Sequence, residues 1–169
     1  MGIPEIVAIV LVIVLLTGLR IAQEYERGVV FRLGRYVALR GPGLYWIIPL
    51  GLERAVTIDI RTRTVSAEQQ ETITRDSVTV KLNAVLWYRI TDAAKSVIRV
   101  ADAPAAVYQL ALTSLRNSIG QHDLDEVLQE RDKINSLLRA NIAESTGAWG
   151  VEVERFEMKD VELPVAMQE

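Results

Sequence analysis

The sequence contains no cysteine and only one histidine, His122. The lack of cysteine excludes disulfides, thiolate nucleophiles and cysteine metal sites, and it is compatible with a reducing compartment. A single histidine also excludes a histidine-rich metal site. Because His122 lies in a polar connection between predicted helices, we interpret it as a solvated loop residue.

Concentrated positive charge is also lacking. The 169 residues include 19 Lys and Arg against 22 Asp and Glu, for a net charge of −3. No basic patch is present, and the aromatic residues are not interleaved with arginines, so we expect no nucleic-acid binding. The length is enough for one compact domain or two small subdomains with a real core.

Motifs for catalysis and for phosphate binding are missing. Gly41-Pro42-Gly43 lacks the Gly-Lys-Ser/Thr ending of a phosphate loop, and there is no G-x-S-x-G elbow. Two clusters of acidic residues have the ligand type that a hard cation needs. They are Asp123, Asp125 and Glu126, and Glu130 with Asp132. Their spacing matches helix caps and a solvated helix face, and we interpret them in that way. We predict a protein that is not an enzyme and has no metal or cofactor.

Residues 1–22 are predicted to be a membrane anchor. Ile6 to Leu19 is a run of 14 uncharged residues, and no basic residue or cleavage site marks it as a secretory signal. As a helix, Gly2 to Ala22 would be about 31 Å long, close to the ~30 Å hydrocarbon thickness. A full span is favoured, and a half-inserted segment is the alternative. The predicted anchor residues are Ile6, Val10, Leu11, Ile13, Leu15, Leu16 and Leu19.

Four arginines follow this segment closely, and no basic residue precedes it. They are Arg20, Arg27, Arg32 and Arg35. The positive-inside rule therefore predicts that the rest of the chain is cytoplasmic at the cell membrane. Arg20 is expected at the interface, where its side chain can extend to the headgroups.

Residues 40–51, RGPGLYWIIPLG, carry an unusual amount of apolar surface between two turns. Leu44 to Ile48 has the length of a short buried strand, and a ligand pocket is a further alternative. Consecutive apolar residues would point to both faces of such a strand, and Tyr and Trp favour membrane interfaces. We therefore predict a second membrane contact with one face on the sheet, formed by Tyr45, Trp46, Ile47 and Ile48.

Alternating patterns predict a mainly antiparallel β unit in the first half. Strands are indicated by ERGVVFRLGRY, by RAVTIDIRTRTV and by the 13 residues from Val78 to Ile90, the last preceded by a turn at Asp76-Ser77.

The second half has a mixed α/β pattern. Helices are predicted after Asp92 and Asp102, the second ending at Gly120, and Asp123 with Glu126 has the spacing of a capping box. The longer helix that follows has an apolar stripe at Ile134, Leu137, Leu138 and Ile142. VEVERFEMKDVEL is strand-like but slips in phase, which predicts a bulge.

Two pairs of arginines are candidates for contacts with lipid headgroups or a neighbouring subunit. They are Arg61 with Arg63, and Arg116 with Arg131, and the second pair is selected as a candidate subunit contact. Ordinary solvated arginines are the alternative for both pairs.

Taken in order, the segments resemble the stomatin branch of the SPFH superfamily (Band 7, prohibitin homology), whose prokaryotic members are called slipins. The resemblance runs through the apolar start and nearly the whole chain, and is carried by ERGVVFRLGRY, GPGLYWIIP, ITRDSVTVKLNAVLWYRITD, LTSLRNSIGQHDLDEVLQERDKIN and WGVEVERFEMKDVELPVAMQ.

The resemblance implies an α+β fold after the N-terminal anchor helix. A β-rich, membrane-proximal SPFH1 subdomain is expected over 23–90 and an α/β SPFH2 subdomain over 91–164. Residues 165–169 are expected to begin a C-terminal helix, since relatives continue here into a long coiled coil, and we expect the chain to be a truncated form.

The resemblance also implies a membrane-anchored scaffold that assembles into homo-oligomeric rings or cages, organises membrane microdomains and modulates neighbouring membrane proteins. Membrane lipids and other copies of the chain are the expected partners. The alternative is a regulatory partner of a membrane-bound serine protease of the NfeD type, or of a channel.

Overall fold

The computed structural model describes residues 2–164 and divides the chain into two compact units, Met1–Arg61 and Thr62–Glu169. Within residues 2–164, every strand pair is antiparallel, and four of the five α-helices follow one another between the last two strands. The predicted α+β class is therefore confirmed.

In the part of the first unit that the structure describes there are one helix and five strands, which form two small sheets. The elements are α1 (Ile3–Thr17), β1 (Leu19–Ala22), β2 (Glu26–Arg32), β3 (Arg35–Arg40), β4 (Gly43–Trp46) and β5 (Glu53–Asp59). One sheet pairs β1 with β4, and the other has the order β3-β2-β5. Val29 and Val30 of the central strand β2 are almost fully buried.

Helix α1 is shorter than predicted. It begins with Pro4 in its first turn, and the Glu5 carboxylate accepts a hydrogen bond from the Gly2 N–H at 3.2 Å. The predicted helix continued to Ala22, but α1 ends at Thr17 because residues 19–22 pair as β1 with β4. At about 1.5 Å per residue α1 is about 22 Å long. Among residues 2–164, no helix has both the length and the apolarity needed to cross a membrane.

Gly18 forms the junction between α1 and β1. Its N–H donates to the Leu15 carbonyl, and its own carbonyl accepts a hydrogen bond from the Ile47 N–H at 2.9 Å. A Cβ at this position would lie 2.3 Å from both the Ile47 oxygen and Trp46 Nε1, so only glycine allows this approach.

The predicted strand at Leu44–Ile48 is displaced by the same junction. β4 begins at Gly43 and ends at Trp46. The Ile47 N–H still bonds to the Gly18 carbonyl in register with the β1–β4 pairs, but Gly18 has helical backbone angles as the C-cap of α1 and Pro49 has no N–H to offer, so the pairing stops there. The strand predicted over RAVTIDIRTRTV also divides, into β5 and the first strand of the second unit. It breaks where the Asp59 carboxylate accepts hydrogen bonds from the Arg61 N–H and guanidinium.

The second unit is a three-stranded sheet packed against helices. Its elements are β6 (Arg63–Ile73), β7 (Thr79–Ile90), α2 (Ala93–Ile98), α3 (Ala103–Gly120), α4 (Leu124–Gln129), α5 (Arg131–Thr146), a 3-10 turn (Gly147–Trp149) and β8 (Val151–Glu162). The sheet order is β6-β7-β8. The predicted turn at Asp76-Ser77 is confirmed, since the Thr74 N–H donates to the Val78 carbonyl across it.

The core of the second unit follows the predicted periodicity. Alternate residues of β7 from Val80 to Tyr88 are buried against α3 and α5. On α5, Ile134, Leu138 and Ile142 are buried, whereas Leu137 is 46% exposed. The prediction that Leu137 belongs to the buried stripe is therefore wrong, because its direction on the helix points to solvent.

The predicted helix starts and the predicted bulge are confirmed. Asp92 and Asp102 accept hydrogen bonds from backbone N–H groups three residues further on, and Asp123 with Glu126 forms a capping box. In β8, Arg155 pairs with Trp87 while Val153 pairs with Tyr88, so Glu154 is an extra residue. This bulge keeps Val153 and Phe156 on the same buried face.

The predicted subdomain boundary between residues 90 and 91 falls inside the second compact unit. The division into subdomains at 23–90 and 91–164 stays a prediction. The predicted start of a C-terminal helix at 165–169 lies outside the described residues.

Glu53 connects the loop before β5 to the central sheet of the first unit. Its carboxylate accepts hydrogen bonds from the Ile48 N–H at 2.9 Å and from the Arg32 guanidinium at 2.7 and 2.9 Å, and its side chain is only 7% accessible. The Ile48 hydrogen bond, followed by the one from Arg32, lowers the pKa of Glu53. The ionised carboxylate therefore holds the loop of residues 48–53 in place.

This arrangement predicts an acid-sensitive loop. Because the pKa of Glu53 is lower in the folded chain than the unfolded value of about 4.3, its stabilisation is complete above that value and is lost as pH falls through the lower folded pKa. Glu53→Gln should lower the urea unfolding midpoint at pH 7, and the difference from wild type should shrink as pH approaches 3. The control is Glu144→Gln, an exposed position on α5, which should leave the midpoint at pH 7 near wild type. Equal midpoints for wild type and Glu53→Gln at pH 7 would contradict this role.

Candidate functional site

His122 and Asp123, two of the polar residues considered for chemistry, have structural partners within the fold. His122 Nδ1 lies 2.6 Å from the Ser118 carbonyl oxygen, and Asp123 receives two hydrogen bonds from the Arg75 guanidinium at 2.7 and 3.0 Å. The hydrogen bonds from Arg75 lower the pKa of Asp123. Within residues 2–164, no three His, Asp or Glu side chains are grouped so that they could hold a metal ion. The feature that stands out is apolar and lies in the first unit.

Helix α1 presents apolar side chains to solvent on every side. None of its residues is buried, and ten of its large hydrophobic residues have accessibilities between 47% and 80%. Contiguous exposed apolar surface of this kind marks contact sites for membranes or other proteins. It includes six of the predicted anchor residues, Ile6, Val10, Leu11, Ile13, Leu15 and Leu16, and the seventh, Leu19, is 39% exposed at the start of β1.

The segment 46–50 lies beside α1. The Trp46 indole donates a hydrogen bond from Nε1 to the Leu15 carbonyl at 2.9 Å, and Trp46 remains 41% exposed. A cleft of about 600 Å³ lies between this segment and the helix, and its lining includes Ile48, Pro49 and Leu50. The surface of α1 therefore continues onto the loop that follows β4.

The four residues of the predicted second contact divide between two environments. Trp46 is exposed, Ile47 is buried, and Tyr45 and Ile48 are half-buried. The Tyr45 hydroxyl lies over Gly28 of β2, where a Cβ would come within 2.7 Å of it. The segment thus packs on the first unit with Tyr45 and Ile47, and membrane contact by Trp46 and Ile48 stays a prediction.

Two leucines at turn tips are also exposed, and neither was predicted from the sequence as part of a site. Leu50 lines the cleft beside α1. Leu33 and Gly34 have φ of 49° and 83°, and Leu50 and Gly51 have φ of 68° and 76°. Leu33 is 75% exposed and Leu50 is 82% exposed. The Leu33 N–H donates to the Leu52 carbonyl at 2.9 Å, so the two turns are neighbours.

Leucine is unusual in this backbone conformation. Leu33-Gly34 is the two-residue turn of the β2–β3 hairpin, and such turns with two positive φ angles favour Asn, Asp or Gly at the first position. Leu50 lies in the loop between β4 and β5, which are in different sheets. At both positions a left-handed conformation costs a residue that has a Cβ roughly 1–2 kcal/mol. The sequence signal that could have identified these leucines is the dipeptide Leu-Gly in RLGR and PLGL. It has glycine where a turn needs it and an apolar residue where a polar one is usual.

The predicted arginine contacts are distributed among several roles. Arg20 is exposed and donates from Nη1 to the Thr17 and Leu19 carbonyls at the end of α1. Arg61 pairs with Asp59 and lies 4.1 Å over the Tyr25 ring, and Arg63 is exposed. Arg131 is half-buried and donates to the Lys159 carbonyl at 2.8 Å, whereas Arg116 is exposed. The subunit contact predicted for Arg116 and Arg131 stays a prediction.

Comparison with known proteins gives a consistent result. The family model for the SPFH domain / Band 7 family matches residues 20–169. A stomatin homolog of Pyrococcus horikoshii is 47% identical over 166 residues, covering 98% of this chain and 62% of its own length. Stomatin-4 of Caenorhabditis elegans is 46% identical over 152 residues, covering 89% of this chain and 54% of that protein. Mouse stomatin is 38% identical over 152 residues, with coverages of 89% and 53%.

The chain thus spans about half to two thirds of the length of these relatives. The match to the family model nevertheless includes the whole second unit. In the first unit it includes every strand of the two sheets, of which it leaves out only Leu19, the first residue of β1. The chain belongs to the SPFH domain / Band 7 family, and within that family to the stomatin branch.

Proposed function

We propose that this chain is a membrane-associated scaffold of the stomatin type, without enzymatic activity, which contacts the bilayer through the first unit. The observation that carries the proposal is the exposed apolar surface that α1 forms with residues 46–50. The exposed leucine of the Leu33-Gly34 turn adds to it, because that turn bonds to the loop at Leu52. Membrane lipids and other copies of the chain are its proposed partners.

The size of the apolar surface supports contact with lipid. Full burial of a large aliphatic side chain contributes about 1.5–3 kcal/mol of favourable transfer free energy. Burial of the exposed half of one such side chain on α1 therefore contributes roughly 1 kcal/mol. The ten exposed residues of α1 would then contribute on the order of 10 kcal/mol before association costs. A single myristoyl chain gives an association constant of only about 10⁴ M⁻¹, equivalent to about 5.5 kcal/mol. Because the value for myristoyl already includes association costs, and the acyl chain contributes roughly 10 kcal/mol before them at ~0.8 kcal/mol per CH₂, α1 alone is comparable to one reversible lipid anchor.

The conformations of Leu33 and Leu50 support the same contact. An exposed leucine in a left-handed turn contributes neither core packing nor turn stability in water. Insertion of its side chain into lipid would recover transfer free energy of the same order as the backbone cost. We propose that both turn tips enter the hydrocarbon boundary next to α1 and residues 46–50.

The distribution of arginines supports an orientation on the inner leaflet. Arg20, Arg27, Arg32 and Arg35 all lie between the end of α1 and the first residue of β3, and Glu5 is the only charged side chain before Thr17. Under the positive-inside rule these arginines stay in the cytoplasm beside anionic headgroups. The proposed location is therefore the cell membrane, with the second unit in the cytoplasm.

The scaffold role rests on family membership. We propose that copies of the chain associate laterally on the membrane, with Arg116 as a candidate contact because it is exposed, and organise microdomains. The alternative is that the essential surface binds another membrane protein, such as a serine protease of the NfeD type or a channel. The two functions differ in which protein the cytoplasmic surface contacts.

Replacement of the turn leucines tests the membrane contact directly. Leu33→Asn with Leu50→Asn should raise the thermal unfolding midpoint or leave it unchanged, because asparagine tolerates positive φ. It should also reduce flotation with anionic phospholipid vesicles severalfold, because the inserted side chains are lost. The control is Leu128→Asn with Leu137→Asn, two exposed leucines of the second unit, which should float like wild type. Undiminished flotation of the turn variant would contradict the proposed contact.

Chemical crosslinking in native membranes tests the scaffold role. A ladder of multiples of one chain is expected, because neighbouring copies would lie side by side on the leaflet. A single crosslinked species that contains a second membrane protein, with no multiples of the chain itself, would instead favour the regulatory alternative.

A further inference from the structure

The cleft beside α1 has one apolar wall from the helix and one from the loop after β4. The helix wall is formed by residues at three- and four-residue spacing from Ile6 to Leu15, and the loop wall is formed by Trp46, Ile48, Pro49 and Leu50. All ten lining residues are apolar. The nine helical steps from Ile6 to Leu15, at about 1.5 Å each, give the cleft a length of about 13.5 Å.

From this cleft we infer a specific lipid site: we propose that it holds one acyl chain of an anionic membrane phospholipid. The inference rests on the proposed membrane contact and adds a ligand to it. Because the walls are built only from apolar side chains, a polar ligand would lose its hydrogen bonds to water without replacement. A flexible hydrocarbon chain loses nothing polar on entry, and its methylenes would contact both walls.

The charged groups at the two ends of α1 give the lipid a direction. Trp46 lies at the Leu15 end of the cleft through its hydrogen bond to the Leu15 carbonyl. The Arg20 guanidinium is close to the same end, because it bonds to the carbonyls of Thr17 and Leu19. Only its Nη1 makes these bonds, so its other N–H groups can donate to a phosphate.

The opposite end carries negative charge. The Glu5 carboxylate lies in the first turn of α1, one residue before Ile6. A phosphate there would be repelled, whereas at Arg20 it would be attracted. The headgroup is therefore assigned to the Arg20 end, and the acyl chain extends towards Ile6.

The loop wall is held in place before any lipid binds. The Ile48 N–H bonds to the Glu53 carboxylate, and the Glu53 N–H bonds to the Ile48 carbonyl at 3.2 Å. Pro49 restricts the backbone further. Because this wall is already ordered, less conformational entropy is lost when a lipid binds. The lower entropy cost favours one retained lipid over rapid exchange of bilayer lipids at this surface.

A pair of matched substitutions on α1 tests the site. Val10 lines the cleft, whereas Val12 is 52% exposed and is not part of the lining. Val10→Trp would fill the cleft, and Val12→Trp would place the same side chain outside it. Each variant of the full chain is bound to vesicles of phosphatidylcholine and phosphatidylglycerol, extracted in mild detergent and weighed by native mass spectrometry.

The expected result is one retained phosphatidylglycerol per chain for wild type and Val12→Trp, and at least a fivefold loss for Val10→Trp. Arg20→Gln should reduce the preference for phosphatidylglycerol over phosphatidylcholine. Vesicle flotation measured in parallel should be retained by all variants, because the exposed apolar surface of α1 is otherwise intact.

Equal retention by Val10→Trp and Val12→Trp with normal flotation would overturn the acyl-chain site and leave the membrane contact standing. Retention of free fatty acid in place of phospholipid, or a photo-crosslink from position 10 to a second copy of the chain, would also overturn it by assigning the cleft to another occupant. Failure of the wild type to float would overturn the proposed membrane contact as well.

Discussion

The hydrogen-bonded contact between the end of α1 and the end of β4 determines the form of the apolar surface. Trp46 Nε1 bonds to the Leu15 carbonyl, and the Ile47 N–H bonds to the Gly18 carbonyl. These two bonds end the helix, start the β1–β4 pair and place residues 46–50 beside α1. Since a Cβ on Gly18 would occupy the same space as these groups, the arrangement depends on one glycine.

Local signals predicted the second unit well and the first unit less well. Asp92, Asp102 and the Asp123–Glu126 pair act on backbone groups within three residues, so their roles can be recognised in the sequence. The end of α1 depends on pairing between Leu19–Ala22 and Gly43–Trp46, more than twenty residues away. An apolar run gives no sign of such pairing, and for this reason the predicted helix continued five residues too far.

The candidate site was predicted in its residue types and not in its geometry. Apolar composition was sufficient to select the α1 residues, and Trp46 was selected because tryptophan favours interfaces. The burial of Ile47, the cleft and the exposure of Leu33 and Leu50 follow from turn conformations and long-range contacts. Leucine is not a typical turn residue, so the residue types that usually predict turns do not identify either position.

The depth of Trp46 in a bilayer tests the central claim most directly. In a chain with Trp87 and Trp149 replaced by phenylalanine, Trp46 fluorescence is measured on vesicles that carry bromine at successive positions of the acyl chain. The account predicts a blue-shifted emission that brominated lipids quench and aqueous acrylamide quenches only weakly. Emission that stays red, with full quenching by acrylamide and none by the brominated lipids, would contradict it.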